Sequence, residues 1–162
     1  HYASPPARSS AVGHLDVVVL GATGVDTDFN VNVHTDSGGS IMGGSGGHSD
    51  TAAGAKLAMI IAPLFRARLP IVTDRVTCIS TPGRDIDVLV TQAGIAVNPR
   101  QPELQDRLKQ AGLPVVPIEE LKTAAEKVTG VPTRPAHGNR AVAKVISRTG
   151  ELLDTIYNIP RR

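Results

Sequence analysis

Residues 14–55 read HLDVVVLGATGVDTDFNVNVHTDSGGSIMGGSGGHSDTAAGA. The stretch opens with residues 15–20 (LDVVVL), a near-continuous apolar run closed by Gly21. That is the pattern of a central strand buried in a parallel sheet. Residues 29–33 (FNVNV) alternate apolar and polar side chains and predict a half-buried strand. Residues 36–39 (DSGG) signal a turn, and a second glycine cluster, GGSGG at 43–47, runs into residues 49–56. There Ser49 or Asp50 can cap a short helix. A strand, a glycine-rich loop and a helix start, in that order, point to an α/β sheet.

The same alternation continues outward. Residues 57–62 predict another buried strand, and residues 71–76 and 86–90 predict two more, split by the turn Thr81-Pro82-Gly83. Residues 94–99 read as a strand end or loop. A helix over 102–110 stops at Gly112, and a second starts at Pro117 and stops near Gly130, with a short strand at 115–116 between them. After a Pro-rich loop at 131–139, residues 141–146 and 152–157 flank Thr149-Gly150 as a closing hairpin. The expected architecture is one α/β domain over residues 1–162, an open and mainly parallel sheet flanked by helices, with a C-terminal β-hairpin. The glycine loop belongs at a strand's end, where α/β sites gather.

Composition narrows the function classes. Aromatics are only 2 % of the 162 residues and Trp is absent, so the core must be built from Val, Ile, Leu and Ala. The net charge of +2, with scattered basic residues and few rings to stack on bases, argues against nucleic acid as a partner. The longest apolar run, at 57–65, is interrupted by Pro63 and falls far short of the roughly 20 residues of a membrane span. Cys78 is alone, so no disulfide forms within the chain, which suits a reducing compartment. No Met and no signal-peptide pattern opens the sequence, and residues 1–13 read as loop in a fragment of a longer chain.

Several motifs compete for the chemistry. Gly21-Ala22-Thr23-Gly24 after an apolar strand resembles the opening of a dinucleotide site, but that site needs a third glycine where Thr27 stands and a helix where the pattern alternates like a strand. Residues 26–32 (DTDFNVN) mimic the start of a calcium loop, yet Val31 and Ser37 occupy the positions that need Gly and Glu. A polar turn and a functional segment both remain open there. Residues 43–50 (GGSGGHSD) join a glycine loop to a helix start, so that backbone N–H groups can converge on an anion or a developing oxyanion. The alternative is a flexible linker. His48 inside this loop can carry a proton or merely satisfy a neighbouring carbonyl. Arg66, Arg68 and Arg75 can clamp an anion or simply be solvated. His14 and His34 lack partners at metal-ligand spacing, and no metal site is expected.

Residues 14–55 resemble the C-terminal segment of citrate lyase α subunits. The similarity continues through residues 60–64 (IIAPL), 74–77 (DRVT), 85–91 (DIDVLVT), 94–99 (GIAVNP), 118–121 (IEEL) and 153–156 (LDTI). The family's α subunit is longer and is similar to two fused halves of a CoA-transferase, so the resemblance implies a CoA-transferase-like fold and most of the second half. It implies a cytoplasmic citrate CoA-transferase, in which acetyl-CoA or an acetylated acyl carrier passes its thioester to citrate. No tightly bound cofactor is implied; the CoA-type thioester, including the phosphoribosyl-dephospho-CoA arm of the carrier, is substrate. The implied partners are the β (lyase) and γ (acyl carrier) subunits and other α subunits, with no membrane. Laid onto the covalent CoA-transferases, the nucleophilic Glu falls at Thr27, which cannot act as a carboxylate. Their oxyanion loop falls at residues 44–50, with Gly46 and Gly47 as the amide donors. Asp26, Asn30, Gly44, Ser45, His48, Ser49 and Arg75 are the implied substrate-binding residues. Gly24 departs from an acidic residue in many relatives. An assembly module without activity, or an NAD(P)-binding domain resting on residues 21–24, are the alternatives, and citrate and citramalate are not distinguished.

Overall fold

The structure is a computed structural model and describes residues 10–160. Its main sheet has four strands in the order β1 (Val17–Leu20), β4 (Leu57–Ile61), β8 (Val88–Thr91) and β9 (Gly94–Val97). The first three are parallel, and β9 returns antiparallel to β8. The segment expected as a strand end or loop is therefore a full edge strand, turned back by Gly94 at φ +150°. A second sheet places β2 (Gly24–Asp26) between an antiparallel β3 (Val31–Asn32) and a parallel β7 (Val72–Thr73). Two hairpins complete the strands: β5 (Phe65–Arg66) with β6 (Leu69–Pro70), and the C-terminal β10 (Ala141–Ile146) with β11 (Leu152–Tyr157). The three helices are α1 (His48–Gly54), α2 (Pro102–Gln110) and α3 (Ile118–Thr129). The α/β class, the mainly parallel sheet and the closing hairpin are as the sequence predicts.

Helix α3 shows why these residues choose their elements. Ile118, Leu121 and Ala125 recur at helical spacing and are buried against β6, β7 and β9. Burying a side chain such as Leu121 contributes about 1.5–3 kcal/mol. Lys122 bridges Asp74 at 2.8 Å and Glu126 at 3.4 Å on the outer side, and Gly130, at φ +77°, closes the helix with its N–H on Glu126 O. Pro102 opens α2, where its missing N–H is harmless.

Four expectations need correction. Strand β1 is not a buried central strand. Among the described residues it pairs on one side only, with β4, and Val17 and Val19 are 51 % and 56 % exposed. Apolar runs report a preference for burial, but here the edge position leaves the face that carries Val17, Val19 and Ile61 uncovered among the described residues. Strand β3 starts at Val31, because Phe29 adopts φ +64° and turns the chain so that its ring enters the core. The strand expected over 71–76 shrinks to β7, since the chain turns off at Asp74. Residues 115–116 form an isolated bridge from Val115 to Ile95 and no strand. The loop expected over residues 1–13 lies partly outside the described residues, and Ala11–His14 within them form a 3-10 turn.

Candidate functional site

The polar turn between β2 and β3 is closed on itself. Asp26 is 1 % exposed, and its carboxylate accepts the backbone N–H groups of Asp28 (3.1 Å), Asn30 (2.9 Å) and Val76 (3.3 Å) and the Asn30 side-chain amide (3.2 Å). Burial pushes its carboxyl above the ordinary value against the pull of those donors. Asn30 Oδ1 accepts Gly83 N–H at 2.9 Å, so both ends of that amide are occupied within the fold. Thr27 donates to the Asp74 carbonyl at 3.3 Å. A Cβ on Gly83 would stand 1.9 Å from the Asp28 carbonyl oxygen, so this turn packs against the chain at Gly83 at a distance only glycine permits.

The glycine loop is the opposite. Gly43 and Gly44 are exposed, Gly46 lies at φ +57°, and added Cβ atoms at all three would meet nothing within 4 Å. None of the three makes a hydrogen bond with the described residues. Gly47, with φ −90°, caps α1, displacing Ser49 and Asp50 from the expected cap into the helix. The loop is held from beneath by two histidines. His34 Nε2 accepts Ser45 N–H at 3.3 Å, and its Nδ1 meets Ser80 Oγ at 2.5 Å. His48 Nε2 donates to the Gly21 carbonyl at 2.9 Å, which leaves Nδ1 to accept from Thr81 Oγ1 at 2.8 Å. Burial pushes both imidazoles below the ordinary value, so both are neutral at neutral pH.

The structure gathers some expected residues and separates others. Gly44, Ser45, Gly46, Gly47 and His48 lie together at the end of the main sheet where β1 finishes, since Gly21 follows β1 and holds His48. His48 does what the blander reading allowed, satisfying a carbonyl with no nitrogen free for proton transfer. Thr27 and Asn30 lie elsewhere. The register Gly24↔Asn32 and Val25↔Val31 puts them at the far end of β2, about 10 Å along the hairpin from the loop side. Ser49 turns to a third place, a cavity of about 200 Å³ shared with Arg84, Arg148 and Glu151. Residues 21–24, the would-be dinucleotide turn, lead into β2 and not into a helix, so that mechanism has no helix start to work with. His34, Ser80 and Thr81 escaped the sequence reading because each acts through partners more than 30 residues away.

Comparison with known proteins shows the family. A family model described as citrate lyase, alpha subunit (CitF) matches residues 1–159. The chain is 49 % identical to the citrate lyase alpha chain of Klebsiella pneumoniae and 47 % identical to that of Escherichia coli, in each case over 98 % of its length. The chain belongs to the citrate lyase alpha subunit family. It spans 31 % of the length of both relatives. A crystal structure of a citrate lyase alpha subunit from Streptococcus mutans, in complex with citrate, superposes with a TM-score of 0.95 at 45 % identity, over 99 % of this chain and 31 % of that one.

The remaining feature of the site is cationic. Arg75 lines two adjoining cavities of about 190 and 270 Å³, whose shared wall includes Thr77 and Arg134. Arg134 Nη2 donates to the Arg75 carbonyl at 3.2 Å, which brings the Pro-rich loop at 131–139 over this wall. Thr35, next to His34, faces the larger cavity. Among the described residues no cluster of three His, Cys, Asp or Glu side chains is placed to hold a metal ion, and no helix is long and apolar enough to cross a membrane.

Proposed function

We propose that the chain carries the oxyanion loop of a citrate CoA-transferase, the alpha subunit of a citrate lyase. The carrying observation is that the backbone N–H groups of Gly43, Gly44, Gly46 and Gly47 meet no acceptor among the described residues, in a loop pinned at Ser45 by His34. Attack on a thioester moves charge onto its carbonyl oxygen, and preorganised N–H donors are the protein's strongest means of stabilising it. In this reading a citrate carboxylate oxygen attacks the acetyl carbonyl of acetyl-CoA or of the acetylated acyl carrier. The carbon–sulfur bond breaks, the thiolate leaves and a mixed anhydride forms. The thiolate then attacks the citryl carbonyl, giving citryl thioester and releasing acetate.

Arg75 and Arg134 line the same cavity as Thr35, and a trianionic substrate requires such groups. The citrate bound by the similar Streptococcus mutans subunit supports citrate as the acceptor. The thioester comes and goes as substrate, a lyase (β) subunit consumes the product, and an acyl-carrier (γ) subunit presents the thioester in the cytoplasm. Asp26 and Asn30 serve by keeping the β2–β3 turn closed. Thr27 takes no covalent part, because it is a hydroxyl at the opposite end of β2.

Initial-rate kinetics of the complete subunit with acetyl-CoA and citrate test this. Intersecting double-reciprocal lines are expected for direct attack in a ternary complex. Parallel lines, or an acyl-enzyme trapped by hydroxylamine, would overturn it. The 162-residue chain alone is expected to show no turnover, since it spans only 31 % of the length of its relatives.

A further inference from the structure

The glycine loop has little of its own to hold it in place. Residues 42–45 are anchored three times, once where the Ser45 carbonyl accepts His48 N–H at 3.1 Å and twice by His34. Its carbonyl accepts Met42 N–H at 2.8 Å, and its ring Nε2 accepts Ser45 N–H at 3.3 Å. An accepting Nε2 puts the ring proton on Nδ1, which donates to Ser80 Oγ. Ser80 Oγ also accepts the backbone N–H of Val33 (2.9 Å), while the His34 N–H is shared between Ser80 Oγ (3.2 Å) and Asn32 Oδ1 (3.1 Å). The ring is thus oriented by Ser80, and its far nitrogen is aimed at the loop.

We propose that His34 is a positioning residue for the transfer step: its neutral ring fixes Ser45, and through Ser45 the flanking open amides of Gly44 and Gly46, against the thioester oxygen. The inference rests on the oxyanion reading of the loop. A second proton on Nε2 would turn the acceptor into a donor facing the Ser45 N–H, and the loop would be released. The groups around the ring do nothing to stabilise that proton. His48, on α1, is itself neutral, and any charge on it repels one on its neighbour. Cys78, behind Ser80, stays protonated because burial, with the nearby Asp154, pushes its thiol up to about 12. Asp154, on β11, turns its carboxylate to the Ile79 and Thr155 amides at 2.8 and 2.7 Å.

The test uses the complete alpha subunit in its assembly, with acetyl-CoA and citrate, and compares His34→Phe, His34→Gln and Gly46→Val across pH. Gln can place an amide oxygen near the position of Nε2 and does not titrate. His34→Phe is expected to lower kcat about 100-fold, the scale of a lost oxyanion donor, with little change in KM for citrate. His34→Gln is expected to recover most of kcat and to abolish the acid limb expected of the native subunit below the ordinary histidine value of 6.5. A His34→Phe variant with native kcat overturns the inference, as does a Gln variant that is no faster than Phe or that keeps the native acid limb. Should the Phe variant fail to fold, the Gln variant alone carries the decision through its pH profile. Gly46→Val separates the two levels. If it is silent, the oxyanion reading itself falls. If it is inactive while the His34 variants behave as native, only the role of His34 falls.

Discussion

The β2–β3 turn and the glycine loop look alike in sequence, as short polar segments between apolar runs, and they are opposites in structure. The turn directs its polar groups inward: one carboxylate takes four donors, and Asn30 uses both ends of its amide. The loop leaves its backbone donors outward and takes its support from side chains beneath it. A segment whose hydrogen-bonding capacity is satisfied within the fold builds structure, and one whose capacity is left over can bind. This is why the residues with the most chemistry in their side chains, Asp26 and Asn30, are the less suited to substrate.

The comparison breaks if the turn proves dispensable. Asp26→Ala should destabilise the chain most, by about 3–5 kcal/mol, because it leaves buried N–H donors without acceptors. Asp26→Asn, which keeps one accepting oxygen, should lose less, and urea unfolding of the two variants would show it. Next comes Gly46→Val in the complete subunit, where transfer should slow by about 2.7–4 kcal/mol in activation free energy. The same substitution should lower stability by only about 1–2 kcal/mol, the penalty of a left-handed backbone, since the added atoms meet open space. Equal losses in stability and rate would mean that the loop is structural after all.

A smaller effect follows from the histidines. Both have folded-state values below the ordinary 6.5, so the unfolded chain binds more protons as the pH falls. Their contribution is complete above pH 6.5 and is lost as the pH drops through the folded values. The melting temperature should therefore fall on acidification below that point, and less steeply in His48→Gln, while a flat profile would contradict the buried neutral pair. The smallest effect belongs to Thr27→Ala, about 0.5–1.5 kcal/mol for one hydrogen bond, with transfer kinetics unchanged. A large kinetic loss there would restore the turn to the active site.

What was legible in the sequence follows the range of the forces involved. Helix α2 ends at Gln110, and the hairpin strands cover 141–146 and 152–157, as caps and alternation predict, because those signals are local. The glycine loop was legible because glycine clusters are rare between strands. Less visible was Phe29, whose left-handed turn is set by packing into the core, and β1, whose apolar run gives no sign of its place at the sheet's edge. His34 looked partnerless for the same reason. Its meaning lies in Ser80, 46 residues on, and in a backbone amide that no side-chain pattern reveals.

Residues 79–83 touch both regions. Ile79 N–H binds Asp154, Ser80 orients His34, Thr81 bridges Val31 and meets His48, and Gly83 N–H binds Asn30. The loop is therefore not a portable module. A chimera that grafted residues 34–51 onto another scaffold would carry every glycine across and leave behind the two hydroxyls that aim them. Transplantation should succeed only when residues 77–83 travel with the loop, two stretches distant in the gene and inherited as one part.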